Sequence, residues 1–143
     1  MKKVSFLVFL LAMSFIAGAF VAPTASADEP SDFTALVGKW VWSQPATCGT
    51  CRAFTAVLTI TSASADGALS GTYQQSEANP GLLRGVAVKP RATMTDGKIK
   101  VAFKAGRYDF DLEYVKGTES LRGPVSGFPP RQVIEAATFR REK

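Results

Sequence analysis

The chain has 143 residues, with 17 Lys/Arg against 12 Asp/Glu, two cysteines and no histidine. That length suits one small domain with one core. The missing histidine removes the commonest general base, the commonest metal ligand and every Ser–His or Cys–His nucleophile pair. The formal charge of +5 includes no basic run of the kind that binds nucleic acid, and implies at most a weak attraction to anionic surfaces or polymers.

Residues 1–27 carry the layout of a secretory signal peptide. Lys2 and Lys3 precede an apolar run from Val4 to Ala22, and Ala25-Ser26-Ala27 forms a small-residue cleavage site before Asp28-Glu29. The apolar run is long enough to span a bilayer as an anchor, but the small-residue site followed by acidic residues favours cleavage. No cysteine stands at the cleavage point to carry a lipid, and no second apolar segment could cross a membrane. The expectation is an exported protein, periplasmic or secreted, whose single domain is 28–143. Loss of Lys2 and Lys3 leaves fifteen basic residues against twelve acidic, a net of +3.

After a polar leader over 28–32, the first strand is expected over 37–43. A loop at 44–52 holds Pro45, Cys48 and Cys51. A strand over 54–63 alternates through Leu58-Thr59-Ile60-Thr61, turns at Asp66-Gly67 and returns over 68–76. A two-residue turn there sets Ile60 against Tyr73 and Leu58 against Gln75. A loop over 77–82 contains Asn79-Pro80-Gly81, and the next strand runs over 83–95, interrupted at Pro90. A turn at Asp96-Gly97 then pairs Met94 with Ile99 and Ala92 with Val101.

The clearest hairpin follows. Ile99, Val101 and Phe103 alternate with lysines, and Tyr108, Phe110, Leu112 and Tyr114 alternate with Asp109, Asp111 and Glu113. A turn at Ala105-Gly106 sets Phe103 against Tyr108, Val101 against Phe110 and Ile99 against Leu112. It also sets Lys100 against Asp111 and Lys98 against Glu113 on the wet face. A short strand over 120–123, a Pro/Gly-rich loop over 124–131 and a last strand over 132–140 complete the chain. The expected fold is all-β: an eight-stranded antiparallel up-and-down meander, closed into a barrel so that no edge is left to recruit other chains. An open two-sheet sandwich is the alternative.

Two segments resemble known barrels. Leu36-Val37-Gly38-Lys39-Trp40 resembles the G-x-W opening of the lipocalin and avidin-like barrels, and Ala65-Asp66-Gly67-Ala68-Leu69-Ser70-Gly71-Thr72-Tyr73 is similar to the second hairpin of the avidin family. The resemblance is specific over 36–76. It implies a small calycin-type barrel in which Tyr73 helps hold a polar oxygen of a ligand. The family's asparagine two residues after the motif tryptophan is here Trp42, its small hydroxyl residue two after the tyrosine is Gln75, and its later tryptophans have no counterpart. Hydrogen-bond partners worth about 1–3 kcal/mol each are missing, so tight biotin binding is not expected. In lipocalin-like barrels a basic residue from the last strand packs on the motif tryptophan, a part open to Arg140 or Arg141.

The candidate ligand-binding residues are Tyr73 and Gln75 as polar groups in the barrel mouth, with Trp40, Trp42, Phe110 and Tyr108 as apolar wall. The same rings could instead fill the core. Cys48-Gly49-Thr50-Cys51 is expected to close a small loop-stapling disulfide in an oxidising compartment. A thiol–disulfide redox role would require Cys48 to be reactive, and two cysteines are too few for structural zinc. With no nucleophile, phosphate-loop or metal motif, no catalytic residue, metal or cofactor is assigned. The expected function is a non-enzymatic barrel that binds a small, largely apolar molecule. The alternative is an envelope barrel that binds another protein through the loops at 45–52 and 128–131. Exported bacterial protease-inhibitor barrels resemble the chain in G-x-W and in having two cysteines, which they space much farther apart.

Overall fold

A computed structural model describes residues 32–143, apart from 79 and 131. The expected signal peptide and most of the polar leader lie outside the described residues, as do Asn79 and Arg131. A 3₁₀ turn, Phe33–Leu36, leads into β1 (Gly38–Gln44), β2 (Phe54–Ala63), β3 (Leu69–Gln75), a single helical turn α1 (Pro80–Leu83), β4 (Val86–Val88), β5 (Arg91–Thr95), β6 (Lys98–Ala105) and β7 (Tyr108–Val115). A second 3₁₀ turn, Lys116–Thr118, precedes β8 (Ser120–Ser126) and β9 (Ala136–Arg141). All nine strands form one antiparallel, curled sheet in the order β4-β3-β2-β1-β9-β8-β7-β6-β5.

The described residues form nine strands because the expected strand over 83–95 divides. Pro80–Leu83 coils into α1, with Pro80 at the first helical position, where its missing N–H is no loss. Val86–Val88 then pairs with β3 and Arg91–Thr95 with β6. Between them Pro90 cannot donate to a ladder. Its side chain is buried, and its carbonyl accepts from the Leu69 N–H at 2.9 Å.

Two hairpin registers differ from expectation by two residues, and the turns explain both. The β6–β7 turn is Gly106-Arg107, not Ala105-Gly106, so Phe103 faces Phe110, Val101 faces Leu112 and Lys100 faces Glu113. Gly106 takes the first central position with φ +59°, where alanine would be strained. In β2–β3 the loop holds three residues, Ala65 to Gly67, with Gly67 at φ +84°. A bulge between Ile60 and Ser62 adds one more step, so Leu58 faces Tyr73 and Ala56 faces Gln75. A shift of two preserves which face each side chain occupies. The β5–β6 turn at Asp96-Gly97 has positive φ at both residues and gives the expected pairs, Met94 with Ile99 and Ala92 with Val101. Met94 itself is exposed at the sheet's end.

Strand β8 runs on through Pro124, which was expected to open a loop, and Pro124 pairs with Ala136. The β7–β8 ladder skips this place, passing from Glu113–Arg122 to Phe110–Val125. The chains approach so closely here that a Cβ on Gly123 would lie 2.1 Å from the Asp111 carbonyl oxygen. Strand β9 starts at Ala136 rather than at 132.

The inner face of the curl is one apolar cluster. Trp42 and Phe110 are buried in it, as the alternation requires. The outer face carries exposed ion pairs, including Lys98–Glu113 at 3.1 Å and Lys104–Asp109 at 3.4 Å. Lys98 reaches Glu113 diagonally, since Lys100 stands directly opposite.

Candidate functional site

At one end of the curl stands Trp40, fully buried. Its Nε1–H donates to the Leu36 carbonyl at 2.9 Å, tying β1 to the 3₁₀ turn. That turn is capped by Asp32, whose carboxylate accepts from the Thr34 N–H at 3.0 Å and from the Thr34 hydroxyl. Arg141, from the last strand, lies over the Trp40 ring with its guanidinium carbon 4.3 Å from the centroid. Its Nη1 donates to the Val37 carbonyl at 2.9 Å and its Nη2 to that of Ala35. Its Nε sits 2.6 Å from the Glu119 carboxylate as an ionic contact, without hydrogen-bond alignment. Gly38 makes room for this, since a Cβ there would meet Arg141 Nη1 at 2.6 Å. Arg141 therefore plays the basic part left open between it and Arg140, which is exposed. Trp40, expected as pocket wall, belongs to this end, two residues before Trp42 on the same face of β1, and does not line the cleft described below.

The opposite end collects the remaining five. Tyr73 is wholly buried among Phe103 and Phe110, so it is core rather than mouth. Its hydroxyl donates to Gln75 Oε1 at 2.5 Å. Burial, with a smaller contribution from Tyr108, holds its ionisation far above the usual tyrosine range. A chain of ring contacts runs Phe103–Phe110 (4.4 Å), Phe110–Trp42 (6.4 Å), Trp42–Phe128 (6.1 Å) and Phe128–Tyr108 (4.4 Å). These rings pack on one another in the interior. Phe128, expected on an exposed loop, turns inward and stacks on Phe54 at 5.7 Å.

Above the rings is a cleft of about 380 Å³ lined by Arg52, Phe54, Gln75, Glu77, Ala78, Arg107, Tyr108, Pro129 and Gln132. Only Gln75 and Tyr108 among the sequence-derived candidates reach it. Gln75 is 3% exposed, and with Oε1 taken by Tyr73 its amide nitrogen has no protein acceptor among the described residues. Arg52 is paired with Glu77 at 3.0 Å. Arg107 lies 5.5 Å from the Tyr108 ring centroid and has no carboxylate partner among the described residues. Sequence reasoning missed Arg107, and the signal for it was its place beside Gly106 in a tight turn. It missed Phe54 too, although Phe54 is in phase with Leu58 and Ile60.

Cys48 and Cys51 are joined in a disulfide within the loop after β1. Among the described residues no group of three or more His, Cys, Asp or Glu could hold a metal, and no helix is long and apolar enough to cross a membrane. Comparison with protein-family models, curated proteins and solved structures produced no match.

Proposed function

We propose that the curled sheet closes into a barrel, and that the protein is an exported, non-enzymatic binding protein taking a small, largely apolar molecule at the Phe128 end. Closure is supported by the isolated bridge Ala68–Arg91 and by two backbone bonds, Leu69 N–H to Pro90 at 2.9 Å and Ala92 N–H to Gly67 at 2.7 Å. These join the start of β3 to the start of β5. With β4 and β5 as the two halves of one kinked strand, the nine strands become eight members of a ring, in keeping with the lipocalin and avidin-like resemblance.

The observation that carries the binding role is Gln75. Its Oε1 accepts from the Tyr73 hydroxyl, which leaves the amide N–H as the end of the side chain available to an acceptor in the cleft. Phe54 and Tyr108 supply an apolar floor beside it, and Arg107 a cation. A ligand would rest on those rings and present an acceptor oxygen to Gln75. The packing of rings in the interior supports a ligand on the mouth rather than deep inside. Native mass spectrometry and dye displacement on protein from its own source test this: a bound small molecule, lost in Gln75→Leu, is expected. Absence of any ligand, with no dye bound at the cleft, would overturn it. The second reading is a protein partner bound through the loops. It is favoured by the disulfide, which staples an otherwise exposed loop beside β1.

A further inference from the structure

On the outer face lies a cleft of about 690 Å³ that the binding reading does not use. It is walled by β1, β8 and β9, with Ser43, Thr138, Arg122 and Arg140 along it. Its floor is a gap in the sheet. The β1–β9 ladder holds only Trp40–Arg141 and Val41–Arg140, prolonged by the Glu142 N–H donating to the Lys39 carbonyl at 2.9 Å. That bond shows that odd-numbered residues of β1 and even-numbered residues of β9 direct their backbone groups at each other. The Arg141 N–H, by contrast, turns to Glu119 at 3.0 Å, on the β8 side. The next pair in this register is Ser43 with Thr138, and it does not form. At the gap the rings of Trp42 and Phe139 lie with centroids 5.6 Å apart.

Both strands thus offer an N–H and a C=O to the groove. Arg122 and Arg140 flank it as diagonal neighbours, since Ser120 pairs with Arg140 and Arg122 with Thr138. Neither has a carboxylate partner among the described residues. The acids nearby are committed elsewhere: Glu113, opposite Arg122, to Lys98; Glu142 to Lys39; Glu119 to Arg141. Like charges side by side on one sheet face are unfavourable until something compensates them.

We propose that this groove docks an extended, acidic peptide segment of a protein partner. The arginines call for carboxylates, which guanidinium forks bind bidentately. The mixed donors and acceptors at Ser43 and Thr138 select a polypeptide over a bare polyanion, because a peptide group satisfies both and an anion only one.

Fluorescence polarisation with labelled acetyl-(Glu-Val)₃-amide tests it, against (Gln-Val)₃ and dextran sulfate. Saturable binding of the Glu peptide is expected. It should weaken about tenfold or more in Arg122→Gln/Arg140→Gln and less than about twofold in the control Lys100→Gln on the far face. Amide hydrogen exchange adds an independent readout: Ser43 and Thr138 should exchange fast in the free protein, unlike Val41 and Arg140, and slow when peptide is added. Equal losses in the control, binding of dextran sulfate but not peptide, absence of peptide binding, or protection of Ser43 and Thr138 in the free protein would each overturn the proposal.

Discussion

The two ends of the curl are built from the same kinds of residue and solve opposite problems. At the Trp40 end most polar groups are consumed: the indole donates to Leu36 and the two Nη atoms of Arg141 to Val37 and Ala35, Nε makes an ionic contact with Glu119, and Gly38 is cut away to admit the arginine. At the Phe128 end rings also pack on rings, yet Gln75 and Arg107 keep unused donors at the edge of a cleft. An end whose hydrogen bonds are mostly internal contributes stability, whereas polar groups left open beside a cleft contribute less to it.

The comparison breaks if both ends contribute alike to stability. Trp40→Ala removes a wholly buried ring and is expected to cost about 3–5 kcal/mol, whereas Phe128→Ala, on a half-buried side chain, should cost about half that or less. Urea unfolding midpoints would show the ratio. Arg141→Ala leaves two carbonyls without their donor and is expected to cost about 2–3 kcal/mol. Arg141→Lys should recover only part of this, because one ammonium cannot reproduce the fork.

A smaller effect sharpens the contrast from the side of Gln75. Burial raises the folded ionisation of Tyr73 above its ordinary value of 10.0. Its contribution is therefore complete below pH 10 and lost as pH climbs toward the folded value, by about 1.4 kcal/mol per pH unit. Tyr73→Phe should flatten that alkaline limb in pH-dependent unfolding. Asp32 and Asp66 are held below 3.8 by hydrogen bonds, to Thr34 and to Ser64 and Ala68. Their contribution fades only as pH falls through that acid range, so with no histidine in the chain stability should stay level between about pH 5 and 8. The smallest effect is expected at the disulfide. Cys48→Ser/Cys51→Ser opens a very short loop, whose chain-entropy ceiling is roughly 2 kcal/mol, and a melting curve should show a smaller loss than that.

Much of the strand set was legible, because burial alternates along β2, β6 and β7 with period two. Register was not. A sequence marks a turn without fixing which of its residues is central, and Ala105 and Gly106 become distinguishable only once one of them must adopt φ +59°. The bulge after Ile60 and the passage of β8 through Pro124 are likewise settled by neighbouring strands. The candidate site was legible as composition and not as place. Tyr73 and Gln75 were named, but their bond turns one into core and leaves the other at the cleft.

The order of residues alone determined an all-β chain and its two faces, because these follow from local alternation and survive any even shift of register. Only the tertiary structure decided that Arg141 rather than Arg140 covers Trp40, that Phe128 turns inward, and that Ser43 and Thr138 face each other unpaired. Those outcomes depend on how residues about a hundred positions apart in the chain divide a limited space, and no local pattern encodes that division.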